Sequence, residues 1–93
     1  MNVNQKAKDF AQSADLAQIA AEVVNEILRA KRKHPRDYNS THEAFGVLWE
    51  EVDEALDELR ADDKQKFRTE LIQIAAVCIR ACYDLKLPKE VKQ

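Results

Sequence analysis

Glu50, Glu51 and Glu54 lie together in the stretch from His42 to Arg60, HEAFGVLWEEVDEALDELR, and Glu70 and Gln73 head an apolar run further on. At about 100° per residue, a helix over the first stretch sets Glu51 at the border of an apolar stripe, with Glu54 one turn further round. That stripe is Leu48, Val52, Ala55 and Leu59, widened by Phe45 and Leu56. Val47 falls between the two carboxylates in angle, which predicts that protein covers the acidic face as well. Burying bare carboxylates is prohibitive, so a covered pair at i and i+3 requires a counter-charge, and a hard divalent cation suits it best. Glu70 and Gln73 repeat the i, i+3 spacing on a second helix. Two such helices packed antiparallel aim their oxygens at one point, as metal-binding bundle cores do. All-oxygen ligation favours Mg²⁺ or Mn²⁺ over zinc. Mg²⁺ keeps several waters and pairs with phosphates, which points to a polyphosphate substrate.

Three helices must position these residues. The first runs from about Asp15 to Lys33, with Ser13 as its N-cap and Leu16, Ile19, Ala20, Val23, Val24, Ile27 and Leu28 as its stripe. His34-Pro35 ends it, because the residue before proline avoids the α region. Ser40-Thr41-His42-Glu43 reads as a capping box that starts the central helix, around which the chain is built. Ala61-Asp62-Asp63 breaks the chain before a third helix from about Lys64 to Leu87, which Pro88 stops. Between Leu71 and Cys82 only Gln73 and Arg80 are polar. A helix apolar all round is buried all round, and three helices cannot surround one of their own. The spacing therefore predicts an all-α antiparallel helical bundle completed by homo-oligomerisation. Within it, Arg80 would pair with an acid across the interface.

Composition agrees with a small helical domain spanning 1–93, with 1–13 and 88–93 as tails. The chain is 45% hydrophobic and 34% charged, with one glycine and two prolines. A chain this short buries roughly 60–65% of its unfolded surface, which leaves a lone protomer marginal. A net charge of −2 argues against a nucleic-acid polymer as partner. No apolar stretch is long enough for a membrane span, and Met1 to Phe10 lacks a signal-peptide core. Cys78 and Cys82, one turn apart without partners at zinc spacing, read as small core residues of a reduced, cytoplasmic protein.

Glu50-Glu51-Val52-Asp53-Glu54 followed by Glu70-Leu71-Ile72-Gln73 resembles the EExxE…ExxD signature of MazG-like proteins, the all-α nucleoside triphosphate pyrophosphohydrolases. The resemblance covers roughly residues 15–87, in a short version of the kind found in bacteria and phages. It implies protomers paired as a homodimer or homotetramer, and Mg²⁺-dependent cleavage of (d)NTPs to the monophosphate and pyrophosphate. Carried over position by position, it implies Glu51, Glu54 and Glu70 as metal ligands and Glu50 as a ligand or water-orienting neighbour. Glu50 and Glu51 are thus the catalytic candidates. The chain departs from the pattern at Gln73, where the family has aspartate. A neutral carbonyl oxygen replaces a carboxylate there, and one negative charge fewer weakens the hold on metal.

Lys33, Arg36 and Lys66 are candidates to meet the triphosphate, and His42 and Trp49 to stack on the base. Each has an ordinary alternative: a cationic helix end, a solvated face, a first-turn residue, or core and interface packing. The alternative reading of the whole chain is a catalytically weak or inactive helical oligomer that binds a nucleotide or a partner protein. Glu70 favours the enzyme, and Gln73 the binding module.

Overall fold

The structure, a computed structural model, describes residues 3–90; residues 1–2 and 91–93 of the two expected tails lie outside the described residues. All regular secondary structure among them is helical: α1 (Val3–Ala11), α2 (Ala14–Lys33), α3 (Thr41–Arg60) and α4 (Lys64–Asp84). None of these helices is long and apolar enough to cross a membrane.

Helix starts follow local chemistry. The Ser13 hydroxyl accepts from the backbone N–H of Asp15 and Leu16, Ser40 from that of Glu43, and the Asp63 carboxylate from that of Lys66. Glu43 reaches back as a capping box predicts, but takes its bond from the Asn39 N–H at 2.9 Å, one residue before the cap. Residues 3–11, expected as a frayed turn or tail, form α1, which projects with no buried residue.

The end of α4 differs from the sequence expectation. It stops at Asp84, three residues before Leu87, because Lys86 turns left-handed at φ 50°. The Lys86 N–H then bonds the Tyr83 carbonyl, and the Leu87 N–H that of Cys82. These are the two bonds of a Schellman ending. Asp62, at φ 55°, ends α3 in the same way.

The hub of the fold is α4, not α3. It runs antiparallel to α3 through the turn at 61–63 and packs along its length. It also packs along α2, and in the same direction. Arg68 meets Glu22 near the starts of these two helices, and Arg80 meets the His34 carbonyl near their ends. The α2 and α3 helices splay apart over α4. The described chain is a slab of 46 × 44 × 24 Å with a Cα radius of gyration of 15.7 Å. A compact chain of this length would have a radius of roughly 12 Å.

The core is thin. Among the described residues the buried apolar ones are Val23, Ala44, Ala55 and Ala76. The apolar stripe of α3 is covered only in part: Ala55 is buried and Leu48 half-buried, whereas Phe45, Val52, Leu56 and Leu59 are exposed. Ala44, outside that stripe, is buried as well. Nor is α4 covered all round in the protomer, where Leu71, Cys78, Ile79 and Cys82 are exposed. The two cysteines are therefore not core residues of the protomer.

Candidate functional site

The splay of α2 from α3 opens a cleft of about 630 Å³ whose floor is Gln73, Ala76, Val77 and Arg80 of α4. Glu26, Arg29 and Lys33 of α2 form one wall, and Glu43, Val47 and Glu51 of α3 the other. The loop from His34 to Tyr38 closes one end.

At the Glu51 end, two helices bring three carboxylates together. One oxygen each of Glu51, Glu54 and Glu70 lies within 4.8 Å of the others. Antiparallel packing does this, because the i, i+3 pair of α3 descends past the head of α4. Gln73, one turn on from Glu70, joins them. With its amide nitrogen turned inward it donates to Glu51 Oε2 at 2.9 Å and Glu70 Oε2 at 3.0 Å. Turned the other way, it would add a fourth oxygen.

Among the described residues no lysine or arginine forms an ion pair with these three carboxylates. The nearby cations are engaged elsewhere. Arg29 holds Glu26 with hydrogen bonds of 2.9 and 2.6 Å, and Arg68 holds Glu22 with two of 2.7 Å. Those bonds keep Glu22 and Glu26 below the usual carboxylate range. The cluster behaves oppositely. Burial, then the neighbouring Glu51 and Glu54, pushes Glu70 up to about 7. Glu51 is raised too, by burial and by the charges of Glu54, Glu26 and Glu50, against a hydrogen bond from Glu70. A protonated Glu70 donating to Glu51 relieves the repulsion, and a divalent cation could relieve it in the proton's place. The donor set, all oxygen and mostly carboxylate, fits Mg²⁺ or Mn²⁺.

At the loop end the cleft is cationic. Arg36 and Lys33 line it, Arg36 lying 3.5 Å from Glu43. Beneath them Arg80 and Asp84 form a buried pair, Nε to Oδ2 at 3.1 Å. Arg80 therefore finds its acid one turn away in its own chain and not across an interface. Its Nη2 also donates to the His34 and Arg36 carbonyls, both at 2.9 Å, and its guanidinium sits 4.7 Å from the Tyr38 ring centre. Asp84 takes the Tyr38 N–H at 3.2 Å and faces the Lys31 ammonium at 2.6 Å. Burial alone would raise Asp84, but the bonds from Lys31, Tyr38 and Arg80 prevail and hold it low. Asp84 Oδ1 has no hydrogen bond of proper geometry, so the Lys31 charge is what balances it.

The other candidates are not brought to the cleft. Trp49 stacks on Phe45, with centroids 6.4 Å apart, on an exposed flank of α3. His42 and Lys66 are exposed in the first turns of α3 and α4, away from the cleft lining. Glu50 is exposed outside the trio, one turn before Glu54. Sequence reasoning missed Glu26 and Tyr38. Glu26 carries a legible signal, an acid one turn before Arg29 on the face opposite Val24 and Leu28. Tyr38 carries only the weak signal of being the single aromatic between Pro35 and Asn39. Compared with known protein families, curated proteins and solved structures, the chain matches none.

Proposed function

We propose that the protein is a Mg²⁺-dependent nucleoside triphosphate pyrophosphohydrolase of the MazG-like kind, cutting (d)NTPs to the monophosphate and pyrophosphate. One observation carries the reading: three carboxylates, with no ion-pair partner among the described residues, cluster beside one end of a cleft that Glu51 lines and that is cationic at its other end. Glu51, Glu54 and Glu70 would hold Mg²⁺ or Mn²⁺, with the Gln73 carbonyl as a neutral fourth donor. When bound, the cation supplies charge neutralisation on the polyphosphate and acidification of a water. Lys33 and Arg36 attract the phosphates, and Ile27, Val47 and Val77 offer the nucleoside an apolar wall. Glu50, exposed on the same face of α3 as Glu54, is the group to orient water at the solvent edge.

The test is incubation with a panel of NTPs and dNTPs plus Mg²⁺, with pyrophosphate and monophosphate measured together. We expect both products in equal amounts, and their loss in Glu51→Gln. Absence of both products across the panel would turn the reading to a catalytically inactive helical protein that binds a nucleotide or a partner protein. Gln73 favours that second reading, because its amide can satisfy Glu51 and Glu70 without any metal.

A further inference from the structure

The acidic trio and the cations Lys33 and Arg36 serve one cleft, but the length of its floor separates them. Arg80 follows Gln73 by seven residues on α4, Lys33 follows Glu26 by seven on α2, and Glu51 follows Glu43 by eight on α3. At a rise of about 1.5 Å per residue, each helix sets the two ends roughly 10–12 Å apart. The stretch between them is apolar, walled by Ile27, Ala30, Val47 and Val77. A phosphate chain held on an ion at the trio would place its nucleoside in that stretch. Lys33 and Arg36 can draw such a chain in from solvent, yet once it is seated they have no anion to meet.

The loop end is nevertheless held in place. Arg80, its side chain 7% exposed, donates to the His34 and Arg36 carbonyls, and Asp84 accepts from the Tyr38 N–H. These bonds fix the Arg36 backbone and leave its side chain free to turn. That side chain is 72% exposed, and its contact with Glu43 is a loose 3.5 Å. Glu43 keeps the Asn39 N–H at 2.9 Å when Arg36 turns away. Lys31 is held by Asp37 and Asp84, whereas Lys33 forms no ion pair among the described residues. Two available cations therefore stand on fixed backbone at one end of a cleft of about 630 Å³, a size that admits a nucleotide.

We propose that the cleft takes a nucleotide phosphorylated at two places, with its polyphosphate at the acidic trio and a second phosphate, on the nucleoside, held by Lys33 and Arg36. The placement of the polyphosphate rests on the function proposed above. Arg36 offers a planar fork that matches two phosphate oxygens, and Lys33 adds a compact charge beside it. A longer phosphate chain is no substitute, because it would lay its charges along Val47 and Val77, where no polar partner meets them. A carboxylate is a poorer fit than a phosphate. It carries one charge against two cations, and Glu43 repels it from the same wall.

Calorimetry of the full chain in Mg²⁺ tests this by comparing adenosine 5′-diphosphate with its 2′- and 3′-phosphorylated forms. One or both of the doubly phosphorylated ligands should bind about tenfold more tightly or better, the yield of one added charge-assisted hydrogen bond. Arg36→Gln and Lys33→Gln, both at exposed side chains, should each erase most of that difference, whatever they do to the diphosphate itself. Glu51→Gln, or chelation of Mg²⁺, should weaken all three ligands alike and leave the difference standing. If the difference persists but Mg²⁺ has no effect on any ligand, the second-phosphate site stands and the metal reading of the trio falls. A parent that binds the three ligands equally, or binds none, overturns the proposal. So does a difference that survives in both cation variants, because the second phosphate would then sit elsewhere.

Discussion

Glu70 is the residue whose ionisation reports most directly on the acidic cluster. In an unfolded chain it titrates near 4.5, and in the fold at about 7. Between those values the folded chain holds a proton that the unfolded chain has released. The stability linked to it is complete below about pH 4.5 and lost by about pH 7. Glu51, shifted in the same direction, adds to the trend. Glu22, Glu26 and Asp84, all held low, act in the opposite sense and only at more acid pH. Melts in chelator across this window should therefore show Tm falling as pH rises. Glu70→Gln should flatten the slope and raise Tm at pH 8. A parent profile already flat would show that the three carboxylates do not repel one another as placed. Divalent binding should weaken below about pH 7, where the cation must displace the proton.

Gln73 is the second informative residue. Gln73→Asp exchanges two donated hydrogen bonds for a fourth carboxylate, so the metal-free variant should melt lower. Two unit charges about 4 Å apart interact by about 4 kcal/mol at an effective dielectric near 20. Desolvation and repulsion from the three glutamates offset most of that, leaving an expected gain of about tenfold in Mn²⁺ or Mg²⁺ affinity. Calorimetric titration measures it. An unchanged affinity in a folded variant would mean that residue 73 does not face the ion.

Among the elements, the loop from His34 to Tyr38 depends on α4. Arg80 fastens two of its carbonyls, and Asp84 fastens its Tyr38 N–H. Arg80→Ala would leave the Asp84 side chain, which has no exposed surface, without its arginine. Breaking such a buried pair costs on the order of 3 kcal/mol, a fall in Tm of roughly 10–20 °C in a domain this size. Arg80→Lys should recover only part of it, because an ammonium lacks the planar fork that reaches both carbonyls and Asp84. A change below 2 °C for Arg80→Ala would show that the loop holds itself. Element boundaries were legible where their cause is local. Ser13, Ser40 and Asp63 each announce a helix start within four residues. The end of α4 was hidden because a lysine, not a glycine, takes the left-handed position. The Arg80 contacts to the loop were hidden because they bridge residues 44 and 46 apart in sequence.

For the whole molecule, periodicity located the apolar residues but not the side on which they would be covered. Val52, Leu56 and Leu59 fall into a helical stripe whether they face α4 or solvent, and only the packing of α3 on α4 separates the cases. The acidic trio was easier, since i, i+3 pairs on two antiparallel helices converge for any reasonable packing. The thin core bears on how the chain tolerates change. In most domains, losses in a library of substitutions concentrate where the protomer is buried. Here Val23 and three alanines offer few large side chains to truncate, while Trp49, Leu56 and Leu59 stand open. Losses in such a library should therefore come less from truncation than from enlargement, where a bulkier side chain at Ala44, Ala55 or Ala76 forces the packed helices apart.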